Sequence, residues 1–117
     1  MSAIPPTIFV VDDDASFLTA VTRLLRAGGY VVNTFTAAVE FVKNIPPNAP
    51  GCVIVDLHMP GMNGLDLQES LAGSANLLPV IFLTGHGDIS TSVHAMRRGA
   101  EDFLTKPVSR EKLFDAV

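Results

Sequence analysis

Ile8-Phe9-Val10-Val11-Asp12-Asp13-Asp14 decides the fold: an apolar run rich in β-branched residues that passes directly into three consecutive acids. A short apolar run of this kind suits a strand buried on both faces, as in a parallel sheet. Working outward, the period changes at Asp14. Phe17, Val21, Leu24 and Leu25 fall at helical spacing, with Asp14 placed as the N-cap and Gly28-Gly29 closing the segment. The alternation then repeats. Residues 30–35 predict a strand and residues 37–44 a short helix, and Pro46-Pro47 and Pro50-Gly51 punctuate the following loop. Residues 52–55 predict a fully apolar strand ending at Asp56, and a loop over 57–63 leads to a helix over 64–72. Residues 79–83 predict a strand ending at Thr84. Ile89, Val93, Met96 and Ala100 mark a helix that stops at Gly99. Residues 102–105 predict a fifth strand ending at Lys106-Pro107, and Ser109 caps a last helix in which Glu111 and Lys112 face solvent around Leu113 and Phe114. Five strands alternating with five helices predict an α/β sandwich on a mostly parallel sheet, with right-handed crossovers.

Composition bounds what such a fold could be. With 117 residues, 48% of them hydrophobic, the chain reads as one domain (1–117) that buries a core without disulfides or a structural metal. The final helix stops at Val117 and reads as truncated at its C-terminal end. Cys52 is the single cysteine and opens an apolar run, which points to a buried structural thiol and a reducing compartment. A net charge of −4, from 8 basic and 12 acidic residues, gives no basic footprint for nucleic acid. The first residues lack the charged and apolar regions of a signal peptide, and the apolar runs are strand-sized. The expectation is a cytoplasmic protein with no membrane contact.

The chemistry-bearing residues sit at strand ends. Asp12 and Asp13 follow the first strand, Asp56 the third, Thr84 the fourth and Lys106 the fifth. In a parallel sheet these ends share one edge, the edge at which open α/β sheets bind ligands. Three carboxylates brought together repel one another and call for a cation. Mg²⁺, or Mn²⁺ in its place, suits hard oxygen donors and keeps waters for a phosphate. Asp13 and Asp56 would supply carboxylate oxygens, Asp12 would act directly or through water, and a backbone carbonyl such as that of His58 would complete the set. A carboxylate beside a metal is a nucleophile toward phosphorus. The transition-state charge then needs donors, which the Lys106 ammonium and the Thr84 hydroxyl would provide.

Four motifs carry a family resemblance. Val11-Asp12-Asp13, the run from Val55-Asp56-Leu57-His58-Met59-Pro60 to Gly61-Met62-Asn63-Gly64, Leu83-Thr84-Gly85 and Phe103-Leu104-Thr105-Lys106-Pro107 resemble the receiver domain of two-component response regulators, over nearly the whole chain from Ile8 onward. Thr84-Gly85-His86-Gly87-Asp88 resembles the subgroup of nitrogen-fixation regulators with a helix-turn-helix output domain. The resemblance implies a flavodoxin-like (βα)5 three-layer sandwich with strand order 2-1-3-4-5. It implies phosphorylation of Asp56 by the phosphohistidine of a sensor histidine kinase, with Mg²⁺ held by Asp13, Asp56 and the His58 carbonyl and supported by Asp12 through water. Thr84 and Lys106 would contact the phosphoryl group. Thr84 would then move toward it and the aromatic at Phe103 would swing inward, remodelling the face formed by the fourth helix, fifth strand and fifth helix. That face would control an output and serve homodimerisation. A DNA-binding output domain beyond Val117 would make the full-length protein a transcription regulator, while this domain itself binds no nucleic acid. Phe103 stands where tyrosine is frequent and lacks the hydroxyl. The Lys106–Pro107 bond is expected to be cis. His58 and His86, each two residues past a site residue, would flank the aspartyl phosphate and tune its hydrolysis.

Plainer roles suit several of these residues, and two rival functions fit the sequence less well. Asp14 reads as an N-cap rather than a ligand. Arg97 and Arg98 read as a polar helix face, and Phe103 as a core residue that also serves as a switch. An aspartate-nucleophile phosphatase is weakly echoed by Asp12, Asp14 and Ser16, but the chain is short, without a cap domain. A mononucleotide-binding module is disfavoured because no glycine-rich loop follows the first strand, where three acids would repel a phosphate. The chain is therefore expected to be a phosphoacceptor switch that promotes its own phosphorylation and dephosphorylation, not an enzyme acting on an external substrate.

Overall fold

The uninterrupted apolar strands are inner strands of one parallel sheet, as their composition requires. A computed structural model describes residues 6–45, 50–57, 59, 61–72, 78–84, 96, 102–105 and 108–117. In chain order its elements are β1 (Thr7–Val11), α1 (Ala15–Ala27), β2 (Val31–Phe35), α2 (Ala38–Asn44), β3 (Gly51–Asp56), α3 (Gly64–Ala72), β4 (Val80–Thr84), β5 (Asp102–Thr105) and the C-terminal helix α4 (Arg110–Ala116). The helix expected between β4 and β5 lies outside the described residues except for Met96, which is helical and exposed.

All strand pairs are parallel, and the sheet runs β2-β1-β3-β4-β5. This is the flavodoxin-like order expected from the sequence. Side chains alternate across the pleat, so each apolar run feeds two cores. Phe9, Val11, Val53, Val55, Val80 and Phe82 face one way and pack with Ala38 and Phe41 of α2 and Leu67 and Leu71 of α3. Ile8, Val10, Cys52, Ile54, Ile81 and Leu83 face the other way, onto Leu18, Val21 and Leu25 of α1 and Leu113 of α4. A residue with no free face must be apolar on both sides, which is why β1, β3 and β4 show no polar alternation. β2 lies at an edge and does alternate: Val32 is buried whereas Val31, Asn33 and Thr34 are exposed.

Local chemistry sets the ends of α1. The Asp14 carboxylate accepts hydrogen bonds from the N–H groups of Ser16 (3.0 Å) and Phe17 (3.2 Å), as an N-cap does. At the other end Gly29 takes φ 90°, its N–H bonds the Arg26 carbonyl and the Tyr30 N–H bonds the Leu25 carbonyl. That double bond is a Schellman closure, and its positive φ favours glycine. Tyr30 therefore belongs to the helix stop, and β2 begins one residue later than the sequence pattern predicts. Gly51 is more constrained still: at φ +130° a Cβ there would lie 1.9 Å from the Thr7 carbonyl oxygen.

Candidate functional site

The carboxyl ends of β1, β3 and β4 bring Asp12, Asp56 and Thr84 side by side through register alone. Val11 pairs with Val55, so the next residues of the two strands, Asp12 and Asp56, are neighbours. Asp56 pairs with Leu83, which puts Thr84 one step further along the adjoining strand. Thr84 in turn pairs with Thr105 of β5. Asp56 is itself the last residue of β3, so its backbone is held in the ladder while its side chain sits at the rim.

Each acid has its own setting. Asp12 is fully buried, its N–H bonds the Phe35 carbonyl at 3.1 Å, and one carboxylate oxygen accepts the Asp14 N–H at 2.9 Å. The N-cap turn that starts α1 thus also orients Asp12. Asp13 is exposed, and Asp56 is 8% exposed. One carboxylate oxygen from each of Asp12, Asp13 and Asp56 lies within 4.8 Å of the others. Three like charges at that spacing, two of them largely withdrawn from water, repel strongly. A hard divalent cation would offset that repulsion. Among the described residues the donor set is all carboxylate oxygen, contains neither thiolate nor imidazole, and leaves one donor on the solvent side, which fits Mg²⁺ or Mn²⁺ better than a tetrahedral zinc site.

The loop after β3 is tied down by two devices that the residue pattern had not suggested. Asn63 and Asp66 cap α3 reciprocally: the Asn63 N–H donates to Asp66 Oδ2 at 3.1 Å and the Asp66 N–H to Asn63 Oδ1 at 3.0 Å. The Asn-x-x-Asp spacing is a capping-box variant and could have been read from the sequence. Gly64 then seats α3 directly on the carboxyl end of β3, since a Cβ there would lie 2.7 Å from the Asp56 carbonyl oxygen. The sequence marks this glycine only as the end of the Asp56 motif and gives no sign of the close approach.

Of the residues predicted to act, Asp12, Asp13, Asp56 and Thr84 meet at one rim, with Thr84 buried to 1% exposure. Phe103 is on edge strand β5 and is 40% exposed, so its ring faces outward in this conformation. Lys106, the Lys106–Pro107 bond, His58 and His86 lie outside the described residues. Cys52 is buried at the opposite end of β3, and desolvation raises its pKa to about 11. It is the structural thiol that the apolar run predicted. No described helix is long and apolar enough to cross a membrane.

Comparison with known proteins agrees with this geometry. The model of the response regulator receiver domain matches residues 8–117. The response regulator protein TmoT of Ectopseudomonas mendocina is 44% identical over 110 residues, which cover 94% of this chain and 50% of that protein. The transcriptional regulatory protein FixJ of Bradyrhizobium diazoefficiens is 38% identical over 106 residues, covering 91% of this chain and 52% of that protein. Among solved structures, the response regulator StyR superposes with a TM-score of 0.91 at 44% identity, over 97% of this chain and 58% of that one. The chain spans about half the length of the curated relatives it matches.

Proposed function

This chain belongs to the response regulator receiver domain family, and we propose that within it Asp56 accepts a phosphoryl group from the phosphohistidine of a sensor histidine kinase. In the transfer the phosphorus–nitrogen bond breaks, a phosphorus–oxygen bond forms to the Asp56 carboxylate, and the imidazole leaves with the electron pair and takes up a proton. The observation that carries the reading is the gathering of Asp12, Asp13 and Asp56 oxygens within 4.8 Å at the end of a parallel sheet.

Asp13, Asp56 and the His58 carbonyl would hold Mg²⁺, or Mn²⁺, with Asp12 contributing through water. When bound, the cation neutralises charge on the carboxylates and on the incoming phosphoryl oxygens. The remaining work belongs to the chain. Asp56 is anchored in the β3–β4 ladder, which fixes its carboxylate for in-line attack. Asp12, oriented by the Asp14 N–H, supplies charge and water binding rather than nucleophilicity. The Thr84 hydroxyl and the Lys106 ammonium would donate to the equatorial oxygens as charge develops. His58 and His86 would adjust the lifetime of the acyl phosphate by admitting or excluding water. The domain acts as a switch that promotes its own phosphorylation and dephosphorylation, and not as an enzyme with an external substrate.

The signal would leave through a change in population between two conformations. Phosphorylation would draw Thr84 toward the phosphate and Phe103 from its exposed position inward, altering the face formed by the expected fourth helix, β5 and α4. That face would mediate homodimerisation and control an output domain in the cytoplasm, and the similarity to the transcriptional regulatory protein FixJ supports an output in transcription. Intact mass after incubation with acetyl phosphate tests the core of the reading. A Mg²⁺-dependent gain of one phosphoryl group, absent from Asp56→Asn, is the expected result. No gain in the folded protein would make the domain a phosphorylation-independent interaction module.

A further inference from the structure

β2 is an edge strand, and among the described residues β1 is its sole strand partner. Exposed edges invite further strands, and proteins blunt them with charge, proline or a bulge on the strand itself. Val31–Phe35 has none of these: no charged residue, no proline, and an unbroken register with β1 from Thr7–Val31 to Val11–Phe35. Acidic residues adjoin only its last residue, where the Asp12 N–H bonds the Phe35 carbonyl, and among the described residues basic side chains of α1 stand over the rest. A groove of about 380 Å³ runs between α1 and β2, lined on the helix by Thr22, Arg23 and Arg26 and on the strand by Val32, Asn33 and Thr34. Both arginines are exposed, and among the described residues no acidic side chain lines the groove, although the chain as a whole carries a net charge of −4.

We propose that this groove receives an extended acidic segment of a partner protein, which adds to the free edge of β2 and sets its carboxylates against Arg23 and Arg26. The two parts of the site do different work. Main-chain hydrogen bonds to the strand edge bind any extended peptide, and the side chains that face the groove select among them. Residues three apart on a helix rise about 4.5 Å along its axis. Alternate residues of a strand, which share a face, are about 6.7 Å apart. The long guanidinium stems absorb that difference, so acids at every second position of the added strand reach both arginines. Guanidinium–carboxylate pairs are bidentate and directional, which favours a carboxylate over other anions of equal charge. The arginines of two copies would repel each other and so disfavour pairing of β2 with a second copy of itself. The groove lies on the opposite side of α1's sheet contacts from the β4–β5 edge, so occupation does not compete with the face that contains Phe103.

The test is an ¹⁵N-resolved NMR titration with three synthetic heptapeptides: alternating Glu and Val, the same with Lys for Glu, and the Glu peptide N-methylated at alternate residues. The expected result is saturable shifts in the amides of Val31 to Phe35 and around Arg23 and Arg26 with the acidic peptide alone, weakened about tenfold or more in R23E/R26E and by added salt. Circular dichroism on R23E/R26E confirms that the variant is folded. Equal binding of the N-methylated peptide would reduce the groove to an anion patch and overturn the proposal. So would the absence of shifts at about 2 mM peptide, the weak end of specific recognition. If R23S/R26S self-associates while its affinity for the acidic peptide is unchanged, the arginines guard the edge and do not read a partner.

Discussion

Replacing Gly64 with alanine tests whether the start of α3 is clamped against the phosphoacceptor strand. The added Cβ would lie 2.7 Å from the Asp56 carbonyl oxygen, 2.9 Å from Phe82 Cε1 and 3.1 Å from Leu57 Cα. Two of these are backbone atoms and cannot rotate away, and the Phe82 ring is fully buried in the core. Carbon contacts are comfortable at about 3.5–4.0 Å, so α3 and the end of β3 must part by roughly 0.8 Å. Overpacking of this kind costs about 1–3 kcal/mol. Helix propensity works the other way, favouring alanine by at most about 1 kcal/mol. The steric term wins, and the net expectation is a loss of about 1–2 kcal/mol, or roughly 4–8 °C in Tm for 117 residues. The shift falls on Asp56, the residue proposed to attack phosphorus. A misplacement near 1 Å can lower a rate about 100-fold, so phosphorylation of Asp56 should slow by about 10- to 100-fold. Urea unfolding followed by circular dichroism reads the first effect. Intact-mass time courses with acetyl phosphate at saturating Mg²⁺, normalised to folded protein, read the second. A G64A variant that melts at or above wild type and is phosphorylated at the wild-type rate would refute the close-approach argument.

Three further outcomes are expected. Asp12→Asn keeps an acceptor for the Asp14 N–H but removes one of three clustered charges, so the metal-free protein should melt higher while calorimetry shows Mg²⁺ binding about tenfold weaker. Asp14→Ala removes both N-cap bonds of α1 and should lower stability by about 1 kcal/mol in urea titrations. Cys52, with its pKa raised by burial from 9.0 to about 11, should react with a disulfide reagent at pH 8 about a hundredfold more slowly than an ordinary thiol. The same shift has a stability consequence with a fixed sign. Above pH 9 the unfolded thiol loses its proton while the folded one keeps it to about 11, so the unfolded state binds fewer protons and stability falls as pH rises through that window. Cys52→Ala should lose less stability than wild type between those two pH values in parallel urea titrations.

Much of the site was legible because it depends on where strands end. In a parallel sheet every strand leaves its carboxyl end on the same edge, so Asp12, Asp56 and Thr84 could be brought together from the strand pattern without coordinates. Strand boundaries moved by one residue in ways that follow from neighbours. Tyr30 was drawn into the Schellman closure of α1, and Asp56 stayed within the ladder because β4 extends beside it. Asp14 was read as a cap, and it is one. Its second role, an N–H that orients Asp12, was not legible, because a backbone donor leaves no mark in a side-chain pattern.

The sequence by itself determined the class of the fold, the grouping of the acids and the family, because periodicity, chain-end chemistry and short motifs are local properties that survive without coordinates. The order of the strands was implied by the family resemblance, and tertiary structure alone decided the spaces between the elements. Strand order put β2 at an edge and left Val32, Asn33 and Thr34 lining a groove with Arg23 and Arg26. Close packing made Gly64 the point at which α3 meets Asp56. Distances between segments remote in the chain are fixed by the packing of both cores at once, and no single stretch of residues carries that information.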